Sequence, residues 1–417
     1  MPNKARKYLR AADLRGIAQL ATQGTTGVTR IVEGVHQSVL GTLGVAPGNA
    51  PGQTRGITGL IYKSIRGITH LAGTSVQTAL AKLEPVLGGE VSAGETTSEE
   101  SPQRAAVLAA LGGVLGDRLA ASRSPFATPM TLRYQGAALH WQAMPLIPGA
   151  RSKVLLLIHG LCMNDLQWNT QHDEHGVNHA DVLSAVLGAS PVYVRYNTGL
   201  HVSENGALLA QQLEQLMTHW PVPVEEIIVL AHSMGGLVIR SACHAAQQIK
   251  LCWLRALKSI VFLGTPHHGA PLERAGNWVD VLLGSTPYTK PFTQLAKLRS
   301  AGITDLRYGY VLASDWQGHD RFRRKPDTRT PVPLPKGVAC YAVAATLAGK
   351  RGKLADRLLG DGLVPLPSAL GQHDDAQRSL AFAPDAQWIA YRTSHLQLLS
   401  SPEAARQMLA WLRSPRN

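Results

Sequence analysis

Aromatic and acidic residues are both scarce in this chain of 417 residues. Aromatics make up 6% of it, and the sequence contains no RNP-like, zinc-finger or helix-turn-helix spacing, so we expect no nucleic-acid partner. The 28 Asp and Glu residues face 41 Lys and Arg residues, which gives a net charge of +13. Such an excess attracts anionic surfaces, and we favour a lipid surface as the partner.

Cysteines and long apolar runs are scarce too. The four cysteines are too scattered for a disulfide framework or a paired zinc motif, so we expect buried thiols. No run approaches the roughly 20 apolar residues of a membrane-spanning helix, and the basic start lacks the apolar stretch of a secretory signal. We therefore expect a cytoplasmic protein, with at most a peripheral contact to a membrane or granule surface.

The apolar pattern divides the chain into three regions. Residues 1–87 carry apolar positions at helical spacing with basic residues between them, which predicts amphipathic helices. These helices either bind a membrane or polyester-granule surface or pack on the rest of the chain. Residues 88–125 are predicted to form an acidic linker and a connecting helix. Residues 126–417 are the predicted catalytic domain, in which residues 270–335 form a cap, either a lid or a packed subdomain.

Short apolar runs alternate with helical patterns from about residue 130 onward. This alternation predicts an α/β fold with a mostly parallel central sheet flanked by helices. We expect a hairpin over residues 131–143 around Gly136, followed by strands at 153–158, 191–196, 227–231, 259–263, 338–345 and 387–392. The predicted helices are 203–219, 236–248 and 402–413.

The strongest motif is a serine between a strand and a helix. Residues 227–231 are apolar strand formers, and a His-Ser-Met-Gly sequence with the serine at position 233 follows them. A tight strand-to-helix turn needs small residues two positions before and after the serine, and Ala231 and Gly235 satisfy this requirement. This context is that of a nucleophile elbow, so Ser233 is the predicted nucleophile.

A serine nucleophile needs donors for the negative charge that develops on the substrate oxygen. The strand at 153–158 runs into a loop that begins His159-Gly160-Leu161, at a place that can supply one backbone N–H. The residue after the serine can supply the other. We therefore expect the backbone N–H groups of Leu161 and Met234 to form an oxyanion hole.

The acid and the base are expected after the serine, in the order serine, acid, histidine. His395 follows a predicted strand and precedes the last helix, whereas His373 lies in a polar stretch, so His395 is favoured as the base. Asp361 lies between two glycines that let the backbone turn its carboxylate toward the imidazole. Its task is to orient the histidine and stabilise the imidazolium. Asp305 and Asp356 remain alternatives for the acid.

With these residues placed, the sequence resembles the α/β-hydrolases, in particular bacterial lipases and esterases and the lipase-like serine hydrolases related to the GPI-inositol deacylases. The matching pieces keep the family's order: IHGL at 158–161, AHSMGG at 231–236, GTPHHGAP at 264–271, GDGLVP at 360–365 and SHL at 394–396. The resemblance implies an α/β-hydrolase fold, an ester substrate, the same three catalytic residues and no cofactor. It does not reach the first 125 residues. Several bacterial lipases have an acidic calcium ligand two places after the catalytic histidine, but this chain has Gln397 there.

Some polar residues near these motifs are candidates for substrate contact, namely His159, Gly160, His232, His267 and His268. A further polar cluster follows the first buried strand and comprises His172, Asp173, His175 and His179. Its residue types suit zinc. Because it lacks a paired cysteine or a helical HExxH motif, we expect a loop beside the pocket and no metal site.

Four functions fit these residues. The leading hypothesis is a lipase or esterase with a preference for apolar acyl groups. An intracellular polyhydroxyalkanoate depolymerase would use the same triad and would suit the amphipathic residues 1–87. An acyltransferase would pass the same acyl group to an alcohol. Outside enzymes, the alternative is a membrane-surface scaffold on an inactive hydrolase fold, which the presence of all three triad residues argues against.

Overall fold

The computed structural model describes residues 102–144, 147–170, 175–270, 300–318, 327–350 and 360–413. The predicted amphipathic helices of residues 1–87 and most of the predicted cap therefore lie outside the described residues. The described residues fall into two compact units, with the boundary after Thr128. The first unit contains helix α1 (Pro102–Ala121), within the predicted connecting segment.

The second unit contains one sheet of eight strands among its described residues. The strands are β1 (Thr131–Tyr134), β2 (Ala137–Ala138), β3 (Lys153–Ile158), β4 (Ser190–Arg195), β5 (Glu226–His232), β6 (Leu257–Leu263), β7 (Ala339–Thr346) and β8 (Gln387–Tyr391). Their order across the sheet is β2-β1-β4-β3-β5-β6-β7-β8. The strands β3 to β8 are parallel, and the hairpin β1–β2 adds an antiparallel edge. The central strands read as continuous apolar runs because both faces of the sheet are covered.

The described residues of the second unit also form helices. They are α2 (His179–Leu187), α3 (Val202–His219), α4 (Met234–Ile249), α5 (Ala301–Tyr308), α6 (Leu366–Ala369) and α7 (Pro402–Arg413). The chain moves one way across the sheet from β3 to β4 and then the opposite way to β5 and β6. Right-handed crossovers therefore place α2 on one face and α3 and α4 on the other. In agreement, α3 packs against α4, and α2 packs against α7.

The predicted fold class is confirmed: a mostly parallel central sheet with flanking helices. The predicted strands from β3 onward and the three helices predicted at 203–219, 236–248 and 402–413 are present, with ends within two residues of those expected. The hairpin is shorter than expected, since β2 ends at Ala138. In the part of the chain that the structure describes, no helix is both long enough and apolar enough to cross a bilayer.

One expectation about local structure is wrong. His179 was expected in a loop, but it begins α2, where it is buried and its Nε2–H donates to the carbonyl of Leu398 at 2.8 Å. The side chain of Asn178 caps this helix and Gly188 ends it in the left-handed conformation. With only nine residues, α2 is too short for its apolar periodicity to stand out from the polar residues before it.

Candidate active site

Ser233 lies at the turn between β5 and α4. Its φ of 54° and ψ of −123° are unfavourable for a residue with a side chain and cost roughly 1–3 kcal/mol. The turn is tight because its neighbours are small. A Cβ atom at Gly235 would stand 2.6 Å from the carbonyl oxygen of Ile158, and Ala231 is completely buried. The sequence therefore selects small residues here so that one serine can occupy a strained corner.

The side chains of His395 and Asp361 meet at the carboxyl edge of the sheet. His395 follows β8, and Asp361 lies between β7 and α6. The Nδ1–H of His395 donates to Oδ2 of Asp361 at 2.6 Å, and the backbone N–H of His395 donates to the Asp361 carbonyl at 3.0 Å. Both residues are buried, at 1% and 2% exposure, so water does not weaken this bond. The Nε2 atom of His395 makes no hydrogen bond to the described residues and is left to accept a proton.

The backbone around Asp361 fixes the direction of its carboxylate. Its Oδ1 accepts the backbone N–H groups of Leu363 at 2.9 Å and Val364 at 2.7 Å. Gly360 has a φ of 46°, and a Cβ atom there would collide with the carbonyl group of Val364. Glycine at position 360 is therefore required by the turn that aims the carboxylate at His395.

The loop that carries His395 packs against the turn that carries Ser233. The ring of His232, the residue before the serine, lies 4.6 Å from the His395 ring between centroids. The Nε2–H of His232 donates to the backbone carbonyl of His395 at 3.1 Å. A Cβ atom at Gly264 would stand 3.1 Å from the His395 ring, and Leu263 before it accepts the N–H of Ser233 at 2.8 Å. Residues from β5 and β6 thus hold this imidazole beside the serine turn.

The alternative base and acids have other partners or lie outside the described residues. The Nε2 atom of His373 lies 3.4 Å from a carboxylate oxygen of Asp327. Asp305 pairs instead with His201, whose Nδ1 lies 2.9 Å from Oδ1. Burial raises the pKa of Asp305 to about 6. Asp356 is among the residues that the structure leaves undescribed. Of the described candidates, Asp361 has its carboxylate on His395.

The segments that carry the expected oxyanion donors both adjoin Ser233. Met234 begins α4, so its N–H is one of those that have no acceptor within the helix. Leu161 follows Gly160, which packs against the serine so closely that a Cβ atom there would stand 2.9 Å from Ser233 Cβ. Among the described residues, neither N–H donates a hydrogen bond. Both groups remain available to an oxygen of a substrate.

His159 is buried against Tyr196 in the loop before Leu161. The two rings stack at 4.4 Å between centroids, and the Tyr196 hydroxyl donates to the His159 carbonyl at 2.8 Å. The Nδ1–H of His159 donates to the carbonyl of Gly160 at 2.9 Å. Burial lowers the pKa of His159 to about 4, so this ring is neutral at pH 7. Sequence reasoning missed Tyr196, because a tyrosine at the end of a strand is usually an ordinary core residue.

The structure places His267 and His268 around a separate cavity. Its volume is about 790 Å³, and its lining does not include Ser233. Burial lowers the pKa of His268 to about 4 and that of His267 well below its usual value. Sequence reasoning also missed Arg240, which lines this cavity. A single arginine in the apolar first half of α4 was the available signal.

The expected absence of a metal site concerns a cluster that is only partly described. His172 and Asp173 are outside the described residues. Over the ranges that the structure does describe, no three His, Cys, Asp or Glu side chains are grouped as metal ligands.

Comparison with known proteins gives one family match and several structural likenesses. Residues 151–330 match the family described as the PGAP1-like alpha/beta domain. These residues contain Ser233, Leu161 and Met234 but neither Asp361 nor His395. No curated protein matches the chain.

Among solved structures, the chain is similar to the Bacillus licheniformis lipase BlEst2. With the propeptide form it shares 17% identity and a TM-score of 0.41, over 70% of this chain and 55% of that one. With the mature form it shares 16% identity and a TM-score of 0.40, over 68% of this chain and 98% of that one. A malate-bound thermophilic esterase from Thermogutta terrifontis shows 13% identity and a TM-score of 0.31, over 64% and 90%. The chain thus spans 55% of the length of the propeptide form.

Proposed function

We propose that this chain is a lipase-like serine hydrolase of the α/β-hydrolase superfamily, which cleaves carboxylic esters through an acyl-enzyme on Ser233. The observation that carries this proposal is the 2.6 Å hydrogen bond between His395 and Asp361. This bond is buried, and His232 connects its histidine to the strained turn of the serine. The Nε2 atom of His395 makes no hydrogen bond to the described residues and is the nitrogen that we propose as the base.

In the first step, the hydroxyl oxygen of Ser233 attacks the ester carbonyl while Nε2 of His395 takes the hydroxyl proton. The Asp361 carboxylate holds the histidine tautomer and stabilises the imidazolium without taking the proton itself. The backbone N–H groups of Leu161 and Met234 stabilise the oxyanion of the tetrahedral intermediate. The imidazolium then protonates the departing alcohol, which leaves the acyl group on Ser233.

In the second step, water replaces the alcohol. His395 removes a proton from the water as it attacks the acyl-enzyme, and the same imidazolium then returns a proton to the oxygen of Ser233 as the carboxylic acid leaves. Gly160, His159 and His232 lie around this position and are the residues that we propose to shape the substrate site. His267 and His268 are the more distant candidates for substrate contact, since they line the separate cavity.

Labelling of the full chain by a fluorophosphonate probe tests the nucleophile. We expect the wild-type protein to be labelled and Ser233→Ala to remain unlabelled. The matched control is Ser241→Ala, which changes a buried serine within α4, the helix that follows Ser233, and should retain the label. An unlabelled, folded wild-type protein would contradict the proposal of a serine hydrolase and favour the scaffold hypothesis.

The substrate class is tested by comparing nitrophenyl esters of increasing acyl length, a triglyceride emulsion and polyhydroxyalkanoate granules. We expect hydrolysis of the nitrophenyl esters to disappear in Ser233→Ala. Faster release of acid from granules than from soluble esters would identify a polyester depolymerase, for which residues 1–87 are the candidate granule-binding part. Transfer of the acyl group to an added alcohol at the expense of free acid would identify an acyltransferase.

A further inference from the structure

A second cavity lies away from the serine. Its volume is about 790 Å³, and its walls come from α4, the start of β7, the extended residues 330–335 and the residues just before β8. Arg240 is seven residues after Ser233, which places its Cα about 10 Å farther along the helix. Ligands of open α/β sheets bind at the carboxyl ends of the strands, whereas this cavity includes the amino ends of β7 and β8.

Arg240 is a buried cation without a carboxylate partner within the described residues. It is 5% exposed, and its recorded contacts are the Val332 carbonyl, which accepts from Nη2 at 2.6 Å, and the Nδ1 atom of His267, 3.4 Å from Nη1. Its Nε makes no hydrogen bond to the described residues. Burial is also the main reason why its pKa falls to about 10. A buried charge without a counter-charge is costly, so an anion in this cavity would be strongly favoured.

His267 offers a second donor in the same cavity. Because the arginine can only donate, the Nδ1 atom of His267 must accept, and the ring proton is on Nε2. That Nε2–H is buried and also makes no hydrogen bond to the described residues. The nearby carboxylate of Asp315 does not compete, since its oxygens accept three backbone N–H groups, those of Val311, Leu312 and Thr330. Arg240 and His267, which both line the cavity, thus each keep one donor nitrogen without a hydrogen bond to the described residues.

The remaining wall of the cavity is mixed: Gln377, Ser379 and Asp385 are polar, and residues 330–335 with their neighbours form its apolar part. Residues 330–335 have the sequence Thr-Pro-Val-Pro-Leu-Pro, and Val338, Tyr341 and Leu380 continue the surface. Two further arginines, Arg329 and Arg378, line the cavity but are already paired with Asp327. The cavity therefore combines one unpaired cationic end with a wall suited to a hydrocarbon chain.

We propose that this cavity is a second binding site, which takes an amphiphilic anion with its carboxylate or phosphate head on Arg240 and His267 and its apolar chain along residues 330–335. The site does not depend on the assignment of the catalytic residues, because it shares none of them. Its occupant can be a long-chain carboxylate or an alkyl phosphate, which present the same chemistry to the arginine.

The test uses the full chain carrying Ser233→Ala, so that no covalent chemistry interferes. Binding of decanoate, decyl phosphate, decanol and inorganic phosphate is measured by calorimetry and by the rise in Tm. We expect at least one of the two amphiphilic anions to bind roughly tenfold or more tightly than both decanol and inorganic phosphate. Whichever anion binds better identifies the head group. Equal affinity for decanol, or for inorganic phosphate, would overturn the proposal.

Variants locate the binding. Arg240→Gln removes the cation, and Ala381→Trp places a bulky ring at an exposed position of the lining, where folding is not at risk. We expect each to weaken binding by roughly tenfold or more. Arg406→Gln is the matched control, since Arg406 is an exposed arginine on α7, and it should bind normally. If Arg240→Gln does not fold, the affinity of Ala381→Trp alone shows whether the anion binds in this cavity. Unchanged binding in a folded Arg240→Gln, or in Ala381→Trp, would show that the anion binds elsewhere.

Discussion

A buried histidine lies both in the second cavity and in the site formed by Ser233, Asp361 and His395, which we call the serine edge. The two histidines have neighbours of opposite charge. His395 and His267 are both 1% exposed. The Nδ1 atom of His395 bonds to the carboxylate of Asp361 at 2.6 Å, whereas that of His267 faces the guanidinium of Arg240 at 3.4 Å. A carboxylate stabilises an imidazolium, and a guanidinium opposes it. This difference agrees with the two proposals, in which His395 is a base and His267 is a neutral donor.

Removing the Asp361 carboxylate gives the strongest test of this difference between the neighbours of His395 and His267. We expect Asp361→Asn to lower kcat for a nitrophenyl ester by about 10⁴-fold, because the amide neither holds the tautomer nor stabilises the imidazolium. The control is Asp305→Asn, which removes the other buried carboxylate paired to a histidine. It should lower Tm but leave kcat within about threefold, a negligible barrier change. A larger loss of kcat in Asp305→Asn than in Asp361→Asn would reassign the acid.

The tight turn at Ser233 and the contact between Asp361 and His395 were predictable from the sequence because these residues lie in motifs with local requirements. The strained turn at Ser233 requires small neighbours, and the turn at Asp361 requires Gly360. Short sequence motifs therefore predict both turns. The second cavity was not predictable. Arg240 and its neighbour Val332 are 92 residues apart, and no local rule marks either of them. The burial of Arg240 depends on packing between segments that are distant in the sequence, and local sequence patterns do not predict such packing.

Histidines that are buried without a carboxylate should make the fold sensitive to acid. Burial lowers the pKa of His159, His179 and His268 to about 4 and that of His267 well below its usual value. Unfolded histidines take up protons near pH 6.5. Between pH 6.5 and 4 the unfolded state therefore binds more protons, and stability falls as pH falls. For the fully buried His159 and His179, each shift to about 4 corresponds to roughly 3 kcal/mol.

One carboxyl group acts in the opposite direction. Burial raises the pKa of Asp305 to about 6, so the folded state binds this proton more tightly than the unfolded state between pH 4 and 6. The contribution of Asp305 to the free energy of unfolding therefore increases as pH falls. Four histidines outweigh one carboxyl group, so we expect the free energy of unfolding, measured by urea titration, to drop steeply from pH 7 to pH 4.5. His179→Gln should flatten that slope by about one proton. A slope that rises toward acid would contradict this account.

The turn that aims the Asp361 carboxylate can be tested by a single methyl group. We expect Gly360→Ala to lose about 2–3 kcal/mol of stability, because it combines left-handed strain with a collision against the carbonyl of Val364. Gly136→Ala is the matched control: it has a φ of 81° but open space around the new methyl group, and should lose only about 1 kcal/mol. Urea titration measures both. Equal losses would mean that strain alone, and not the close approach, requires glycine at 360.

The smallest effect concerns His232, which links the turn of Ser233 to the loop of His395. His232 donates to the His395 carbonyl at 3.1 Å, so we expect His232→Leu to lower kcat by about tenfold with KM nearly unchanged. His232→Gln, which keeps an N–H donor, should recover part of this loss. His179→Gln weakens a comparable bond from a buried histidine to the carbonyl of Leu398, in the same loop. If it lowers kcat as much as His232→Leu does, general support of the loop, and not the position of His395, accounts for the effect.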